Sequence, residues 1–304
     1  MPDEPSRPGS AGSAPRWTLQ PSQPLAGEVV RVLKEQLAFL ASWASTDRAD
    51  LGEATHRVRQ TLKRVRALGW LIRAEVTADA FDLWNRRLRD EGRRLGAARD
   101  ADVALETLDL LCGEERLRGG AIDRLRDRLV GASRDARREI VESGALRRAL
   151  RCAREIEAPL ADSVPGHVGV EDLRKGAARA YQRARRQLAR IEEARTDERL
   201  HELRKRAKIV RSHVELLARA GAWRRAALSR LEEINDLLGA DHDRVVLAVA
   251  IRRELEGATQ LDGDLLALLG AIDVRRRALQ SEALRHALHA FDHKSSDFAE
   301  QLLV

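Results

Sequence analysis

The chain has 304 residues and a formal net charge of +7; 34% of its residues are charged and only 3% are aromatic. It contains no run of about 18 to 20 apolar residues that would cross a membrane. Its two cysteines, Cys112 and Cys152, have neither metal-ligand nor disulfide-framework spacing, which favours a reducing cytoplasm. Strong helix formers dominate, so the composition predicts an all-α protein, and the basic excess indicates an anionic partner.

The N-terminal half predicts a tail followed by helices. Residues 1–24 are rich in Pro, Ser and Gly and lack the apolar segment of a secretory signal, which predicts a disordered tail. Helices are then predicted over about 25–45, 50–76, 79–95, 120–142 and 145–157. A capping box at Asp50 and Glu53 starts the second helix, and Gly96 ends the third. Asp100 or Asp102 is then expected to cap the helix that follows.

The C-terminal half repeats this order. Residues 159–169 contain two prolines and two glycines and predict a linker. Helices are predicted afterwards over about 170–193, 197–220 and 222–238. Gly239 is expected to end the last of these, and two further helical segments are split near Gly263. The sequence therefore predicts two helical bundles with short connections, one over residues 25–158 and one over 170–304.

One basic pattern occurs once in each half. A histidine is followed by basic residues three, seven and ten positions later, which places all four side chains within an arc of roughly 80° on a helix. Because like charges in one row repel each other, the repetition indicates a polyanionic ligand, although a single such row is typical of a solvated helix face. The eight residues are His56, Arg59, Lys63, Arg66, His201, Arg204, Lys208 and Arg211.

A second motif also occurs twice. LGAARDADV at 95–103 corresponds to LGADHDRVV at 238–246. With the basic rows that precede them, these motifs resemble the CHAD domain, the conserved histidine α-helical domain, over about residues 25–298. Some members of that family are fused to a triphosphate-tunnel domain, whose Glu-x-Glu-x-Lys signature does not occur here. The chain therefore resembles a stand-alone member.

The resemblance implies a fold and a function. The fold would consist of two four-helix-bundle-like units related by internal duplication and a pseudo-twofold axis, with basic residues lining a groove or channel between them. The implied function is binding of inorganic polyphosphate, without catalysis, metal or cofactor, and placement on polyphosphate granules in the cytoplasm. Polyphosphate carries about one charge per phosphate and no bases, which suits a chain rich in Arg and poor in aromatic residues.

The second half departs from the family pattern. Ile209 occupies a position that is often basic, and His213 follows Arg211 where an aromatic residue is common. His242 stands where the first copy has Arg99. These departures affect individual contacts of the second basic row rather than the resemblance as a whole.

Further residues are candidates for polyphosphate binding on neighbouring helices. Three arginines of the second half, at 179, 183 and 186, share one helix face because their spacings are four and three. Any Arg-rich amphipathic helix contains such triplets, however. The candidates are Arg31, Lys34, Arg179, Arg183 and Arg186.

The polar residues of the two motifs allow two roles each. His56 and His201 are expected to become cations beside a polyanion, so that affinity falls above about pH 7; the alternative is a structural role as a buried histidine. Asp100 and Asp243 are expected to be helix N-caps; the alternative is that they orient an arginine of the basic rows.

Two other functions remain open. A helical metal-dependent phosphohydrolase would use the adjacent His242 and Asp243, or the histidines at 286, 289 and 293, whose helical spacing suits a metal. Nucleic-acid binding is compatible with the basic charge, but stacking side chains are scarce and no nucleic-acid-binding motif occurs. The sequence leaves open the oligomeric state, the preferred chain length and whether both basic rows face one cavity.

Overall fold

The computed structural model describes residues 15–20, 22–45, 51–256 and 262–302, and every regular element in these ranges is a helix, which confirms the all-α class. None of the helices described is both long and apolar enough to cross a membrane. In chain order the helices are α1 (Leu25–Ala44), α2 (Leu51–Leu71), α3 (Ala78–Arg94), α4 (Ala97–Glu115), α5 (Gly120–Glu142), α6 (Ala145–Asp162), α7 (Val170–Glu193), α8 (Asp197–Leu217), α9 (Ala222–Glu256), α10 (Gly263–Ala290) and α11 (Ser295–Glu300).

Side-chain caps begin three of these helices. The side chain of Thr77 accepts a hydrogen bond from the backbone of α3, Thr196 does the same for α8, and Asp262 does so for α10. Each cap satisfies a backbone N–H that has no partner within the helix. The capping box predicted for α2 involves Asp50, which lies outside the described residues.

The buried apolar side chains form two clusters. The larger one contains residues of α1, α2, α3, α6, α7 and α8, with the start of α9 and the end of α10. The smaller one joins α4 and α5 to the second half of α9 and the first half of α10. Each core thus draws helices from both halves of the sequence, which differs from the predicted division into one bundle over 25–158 and one over 170–304.

The helix predicted to end at Gly239 continues through it. Helix α9 runs without a break from Ala222 to Glu256. A Cβ at Gly239 would lie 2.9 Å from Nη2 of Arg204, so this glycine allows close packing rather than ending the helix. The corresponding prediction for Gly96 is confirmed, since α3 ends at Arg94 and α4 begins just after this glycine.

The predicted linker is shorter than the sequence indicated. Helix α6 continues to Asp162 with Pro159 in its last turns, and α7 begins at Val170. Pro159 lacks the N–H that would bond to the carbonyl of Glu155, and the helix ends three residues later. Residues 163–169 therefore connect the two halves.

Residues 15–20 are ordered against the core, which corrects the predicted disordered tail over 1–24 for this part. Trp17 and Leu19 are only 8% and 7% exposed. The indole N–H of Trp17 donates to the carbonyl of Ser212 (3.3 Å), and the backbone N–H of Leu19 donates to that of Leu216 (3.1 Å). Two buried apolar side chains and these hydrogen bonds dock a segment whose average composition is typical of disorder.

Candidate functional site: two basic rows that meet

The basic rows lie on α2 and α8, two helices that pack against each other. On the opposite face of α2, Val58 and Leu62 are at most 1% exposed, and on α8 Leu203 and Val210 are fully buried. Both helices are therefore amphipathic, and burial of their apolar faces fixes where the basic rows point.

Lys63 and Lys208 bring the two rows together. Burial lowers the pKa of Lys63 to about 8, with added repulsion from Arg59 and Arg204. Burial lowers the pKa of Lys208 to about 7, and Arg204 and Lys63 lower it further. Since these charges act on one another across two helices in contact, the four residues form one group, named here the central cluster: Arg59, Lys63, Arg204 and Lys208.

Arg59 is fixed by the end of a neighbouring helix. Its Nη1 donates to the carbonyl oxygens of Leu95 (3.2 Å) and Gly96 (3.3 Å), just beyond α3. The carbonyl of Leu95 lies at the C-terminal end of α3, where the helix dipole is negative, and that of Gly96 also accepts the backbone N–H of Asp100 (3.1 Å). Burial lowers the pKa of Arg59, while the carboxylate of Asp100 opposes that effect.

Arg204 lies against the surface of α9 instead. Its guanidinium rests on Gly239, and its Nε has no hydrogen-bond partner among the described residues. Burial lowers the pKa of Arg204, and the nearby carboxylates of Asp243 and Asp236 partly compensate. Arg204 is thus held by packing, with fewer hydrogen bonds than Arg59.

The two motif aspartates are not helix caps, so that expectation is wrong for both. Asp100 lies in the first turn of α4, whose N-cap is Gly96, and Asp243 lies in the middle of α9. Asp100 raises the pKa of Lys63, and Asp243 raises that of Lys208. Both carboxylates therefore face the central cluster, which agrees with the alternative role of acting on the basic rows.

The histidines of the rows favour their neutral forms in the unliganded protein. Burial lowers the pKa of His56, and it lowers that of His201 to about 4, with a further contribution from His242. The rings of His201 and His242 lie 4.7 Å apart between centroids. The side chains that titrate near pH 7 to 8 in this site are consequently the two lysines.

The two rows end differently. Nε of Arg66 donates to the neutral side chain of Asn85 (2.9 Å). Arg211 forms ion pairs with Glu215 (3.1 Å) and Glu232 (3.3 Å). Arg211 is therefore largely neutralised within the molecule, whereas Arg66 keeps its charge available.

Arg31 has a structural role that the sequence analysis missed. It forms ion pairs with Glu28 and Glu35, both at 2.8 Å, and Nη2 donates to the carbonyl of Thr18 (2.8 Å). Arg31 thus ties the N-terminal segment to α1 and is removed from the set of ligand-binding candidates. Lys34, one turn further along, is exposed.

The arginines of α7 form a second group. The guanidinium of Arg183 lies 4.7 Å from the ring centroid of Trp70. Burial lowers the pKa of Arg183, and so do nearby charges, first that of Arg206, which pairs with Glu202 (2.9 Å), and then those of Arg179, Arg73 and Arg186. Sequence reasoning missed Trp70 and Arg73, although they continue the spacing of the first basic row. The group is named here the peripheral cluster: Arg73, Arg179, Arg183 and Arg186.

The C-terminal histidines do not converge. Nδ1 of His286 lies 2.6 Å from a carboxylate oxygen of Glu233, and Nδ1 of His289 is hydrogen-bonded to the carbonyl of Arg285 in the preceding turn. His293 lies beside Asp292. Within the described ranges, no group of three or more His, Cys, Asp or Glu side chains is arranged to hold a metal ion.

His213 links the two row helices from inside the core. It is 1% exposed, and its Nε2 lies 2.9 Å from the carbonyl oxygen of Ala67, so Nε2 carries a hydrogen and donates it. Burial lowers the pKa of His213 to about 4, against a slight opposing effect of this hydrogen bond. The neutral imidazole is therefore part of the contact between α2 and α8.

Acid should weaken this contact. Since the unfolded chain takes up a proton near pH 6.5 and the folded protein only near pH 4, stability is complete above about pH 6.5 and falls as the pH drops toward 4, by up to about 1.4 kcal/mol per pH unit. We expect the thermal midpoint of unfolding to decrease when the pH is lowered from 7 to 5. The decrease should be smaller in His213→Gln, whose amide preserves a hydrogen-bond donor. Equal shifts in His213→Gln and the wild type would contradict this role, and His293→Gln, at an exposed site, is the control.

Comparisons with known proteins agree with this architecture. The structure superposes on the crystal structure of the CHAD domain from the plant Ricinus communis with a TM-score of 0.68, at 19% identity, covering 92% of this chain and 95% of that one. For PptA from Streptomyces chartreusis the TM-score is 0.62, at 18% identity, with 92% and 100% covered. At these identities the likeness concerns the fold.

Two curated relatives are closer in sequence but much longer. They are the uncharacterized proteins Rv2226 and MT2285 of two Mycobacterium tuberculosis strains, each 31% identical over 247 residues. The match covers 74% of this chain and 45% of each relative, so the chain spans about half the length of the curated relatives it matches. The model of the CHAD domain family matches residues 31–252, a range that includes both basic rows and both aspartate motifs, and the chain belongs to that family.

Proposed function

We propose that this chain binds inorganic polyphosphate through the central cluster and has no catalytic activity of its own. One observation carries the proposal: four cations from two helices meet although they repel each other, and neither Lys63 nor Lys208 forms an ion pair with any described residue. Such repulsion reduces the stability of the unliganded protein, and a polyanion would relieve it.

The surroundings of Lys63 support a groove-shaped site. Lys63 keeps an exposed surface, yet the neighbouring protein atoms lower its pKa to about 8. A side chain that is both accessible and closely surrounded lies in a concave surface. Ammonium groups accept phosphate oxygens from many directions, whereas arginine forms paired hydrogen bonds. A mixed set of both suits a flexible chain of phosphates.

Similar contacts in the two halves support an internal duplication around this groove. Arg59 lies over Gly96, and Arg204 lies over Gly239, at the same position of the repeated motif. Asp100 and Asp243 act on the lysine of their own half. Two equivalent half-sites that meet at Lys63 and Lys208 would bind a polymer of identical units.

A competition experiment tests the proposal. The protein is titrated with labelled long-chain polyphosphate, and unlabelled polyphosphate or duplex DNA is added at equal phosphate concentration. We expect polyphosphate to compete and DNA to compete poorly, because the site offers close-set cations and few stacking groups. Displacement by DNA as efficient as by polyphosphate would contradict the assignment. Salt dependence alone does not discriminate, since both polyanions release counterions.

The cellular role follows from the same chemistry. A protein that binds long polyphosphate without cleaving it would place itself, or a partner attached to it, on cytoplasmic polyphosphate granules. A fluorescent fusion should co-localise with the granules, and a variant lacking both central lysines should not. A fusion that remains diffuse in granule-bearing cells would count against this role.

A further inference from the structure

Lysine is rare in this chain, yet it occupies the centre of both basic rows. Of the 55 lysine and arginine residues only six are lysines: Lys34, Lys63, Lys175, Lys205, Lys208 and Lys294. Lys63 and Lys208 lie at the same position of the two rows, and both belong to the central cluster. Arginine does not lose its proton in proteins, whereas lysine is able to do so. The central cluster therefore contains two cations that can become neutral amines.

The surroundings of Lys208 favour the neutral amine. Its charged neighbours are Arg204 on the same helix, Lys63 on α2, and Asp243 and Asp236 on α9. Burial is the largest cause of its lowered pKa of about 7, the two cations add to it, and the two carboxylates oppose it. At neutral pH about half of the Lys208 side chains are thus unprotonated. Lys63, whose pKa is about 8, is affected in the same way but less.

Lys205, one turn away on α8, has different surroundings. It is exposed, and its Nζ lies 2.5 Å from a carboxylate oxygen of Glu202. Lys208 is half-buried and forms no ion pair with any described residue. One helix therefore carries two lysines for comparison, an ammonium group in a surface ion pair and an amine among other cations. A lysine placed next to other cations is a known kind of activated nucleophile.

Two arginines of the central cluster have donors available for a small anion. Arg204 forms no hydrogen bond with a described residue, and Arg59 uses only its Nη1. Guanidinium groups bind phosphate oxygens through charge-assisted hydrogen bonds. Because Arg204 lies one turn from Lys208 on α8, a phosphate bound by its guanidinium is held close to the amine.

We infer that Lys208 is a site of self-acylation by small acyl phosphates, in which the arginines of the central cluster bind the phosphate and the Lys208 amine takes the acyl group. The amine nitrogen attacks the carbonyl carbon and forms an amide bond. The bond between that carbon and the bridging oxygen breaks, and its electron pair leaves with inorganic phosphate. The phosphate also takes up the proton that the nitrogen loses, so the step needs no oxidant or reductant.

Acylation changes what the site can bind. It removes the charge of Lys208 and leaves a larger, neutral side chain in the groove. The inference shares its site with the proposed function but does not depend on it, because the reaction proceeds without polyphosphate. A polyanion bound at the same cluster competes with the acyl phosphate and favours the protonated form of Lys208. The supply of acyl phosphates would thereby regulate polyphosphate binding.

The test treats the whole chain with acetyl phosphate and follows each lysine by peptide mass spectrometry. At pH 7.5 Lys208 should be acetylated about tenfold or more faster than Lys205, because its amine is largely neutral and the reagent is held beside it. The rate at Lys208 should rise with pH and level off above about pH 8, once the amine is neutral. Equal rates at the two lysines, or a rate at Lys208 that keeps rising through pH 9, would overturn the inference.

A neutral reagent separates delivery by the arginines from the reactivity of the amine alone. The N-hydroxysuccinimide ester of acetic acid acylates amines but carries no phosphate. The preference for Lys208 over Lys205 should be about fivefold or more greater with acetyl phosphate than with this ester, since only acetyl phosphate binds the arginines. Equal preferences with the two reagents would contradict binding of the phosphate at the central cluster.

Long-chain polyphosphate distinguishes the inference from the proposed function. At saturation it should slow acetylation of Lys208 by about tenfold or more, and it should leave Lys294, an exposed lysine outside the cluster, unaffected. Rapid acetylation of Lys208 that polyphosphate does not slow would support the inference and count against the proposed function. Slow acetylation of Lys208 in a protein that binds polyphosphate would refute the inference and leave the proposed function intact.

Discussion

Replacing the two central lysines by Lys63→Glu/Lys208→Glu is expected to abolish polyphosphate binding and at the same time to stabilise the folded protein. Neither lysine has an ion-pair partner among the described residues. The charge of Arg204 lowers the pKa of both lysines, and the charge of Lys63 lowers that of Lys208. Loss of two charge-assisted contacts should reduce affinity by on the order of 10² to 10⁴. Removal of the repulsion should raise the thermal midpoint, by about 2–4 °C for each kcal/mol relieved in a chain of this size.

The measurement combines a binding titration with thermal unfolding of the same samples. Lys63→Met/Lys208→Met should show the same two effects with a smaller loss of binding, because it removes charge without reversing it. Arg185→Glu/Lys294→Glu, which makes the same change in net charge at two exposed positions, is the control. A lower thermal midpoint together with lost binding would mean that the lysines support the fold instead. Arg59 is less suitable than the lysines for testing ligand binding by charge reversal, because its hydrogen bonds also hold the end of α3.

Polyphosphate binding should take up protons at neutral and alkaline pH. In the unliganded protein the pKa values of Lys208 and Lys63 are about 7 and about 8, below the ordinary value of 10.5. A bound polyanion favours the charged forms and raises both pKa values. Affinity should therefore be greatest below pH 7, where both lysines are already protonated. It should then fall by up to about tenfold per pH unit between pH 7 and 8 and by up to about a hundredfold per unit above pH 8.

Calorimetry at pH 8.5 in two buffers with different ionisation enthalpies measures this uptake directly. We expect between one and two protons per binding event for the wild type, and fewer for Lys208→Met. His56→Gln/His201→Gln should keep the same pH dependence above pH 7, since burial lowers both histidine pKa values further below this range, to about 4 for His201. No proton uptake, or uptake that disappears in the histidine variant, would show that the lysines are not the titrating groups.

The sequence predicts the two row helices and the residues of each row, but it leaves open whether the rows meet. Val58 and Leu203 lie at helical spacing opposite the rows in the sequence, and their burial determines where the rows point. The role of Arg31 was also readable from the sequence, because Glu28 and Glu35 lie three and four residues away. It was missed because only the basic residues were considered.

Other features depend on packing that a single sequence does not reveal. Gly239 has the same local signature as Gly96 and also packs against an arginine, yet α9 continues through Gly239 whereas Gly96 separates α3 from α4. The lysine pKa values result from burial by several helices, so the row pattern pointed to the histidines as the titrating groups. The division of the cores depends on which helices pair, and helical periodicity contains no information about partners.

The unbroken α9 makes the two halves of the chain mutually dependent. Its 35 residues form a rod about 52 Å long, which contributes one end to the larger core and the other end to the smaller one. If either core melts, half of this rod loses its packing and the other half loses its anchor. The polypeptide should therefore unfold in a single cooperative transition, and neither duplicated segment should be able to fold as a separate protein.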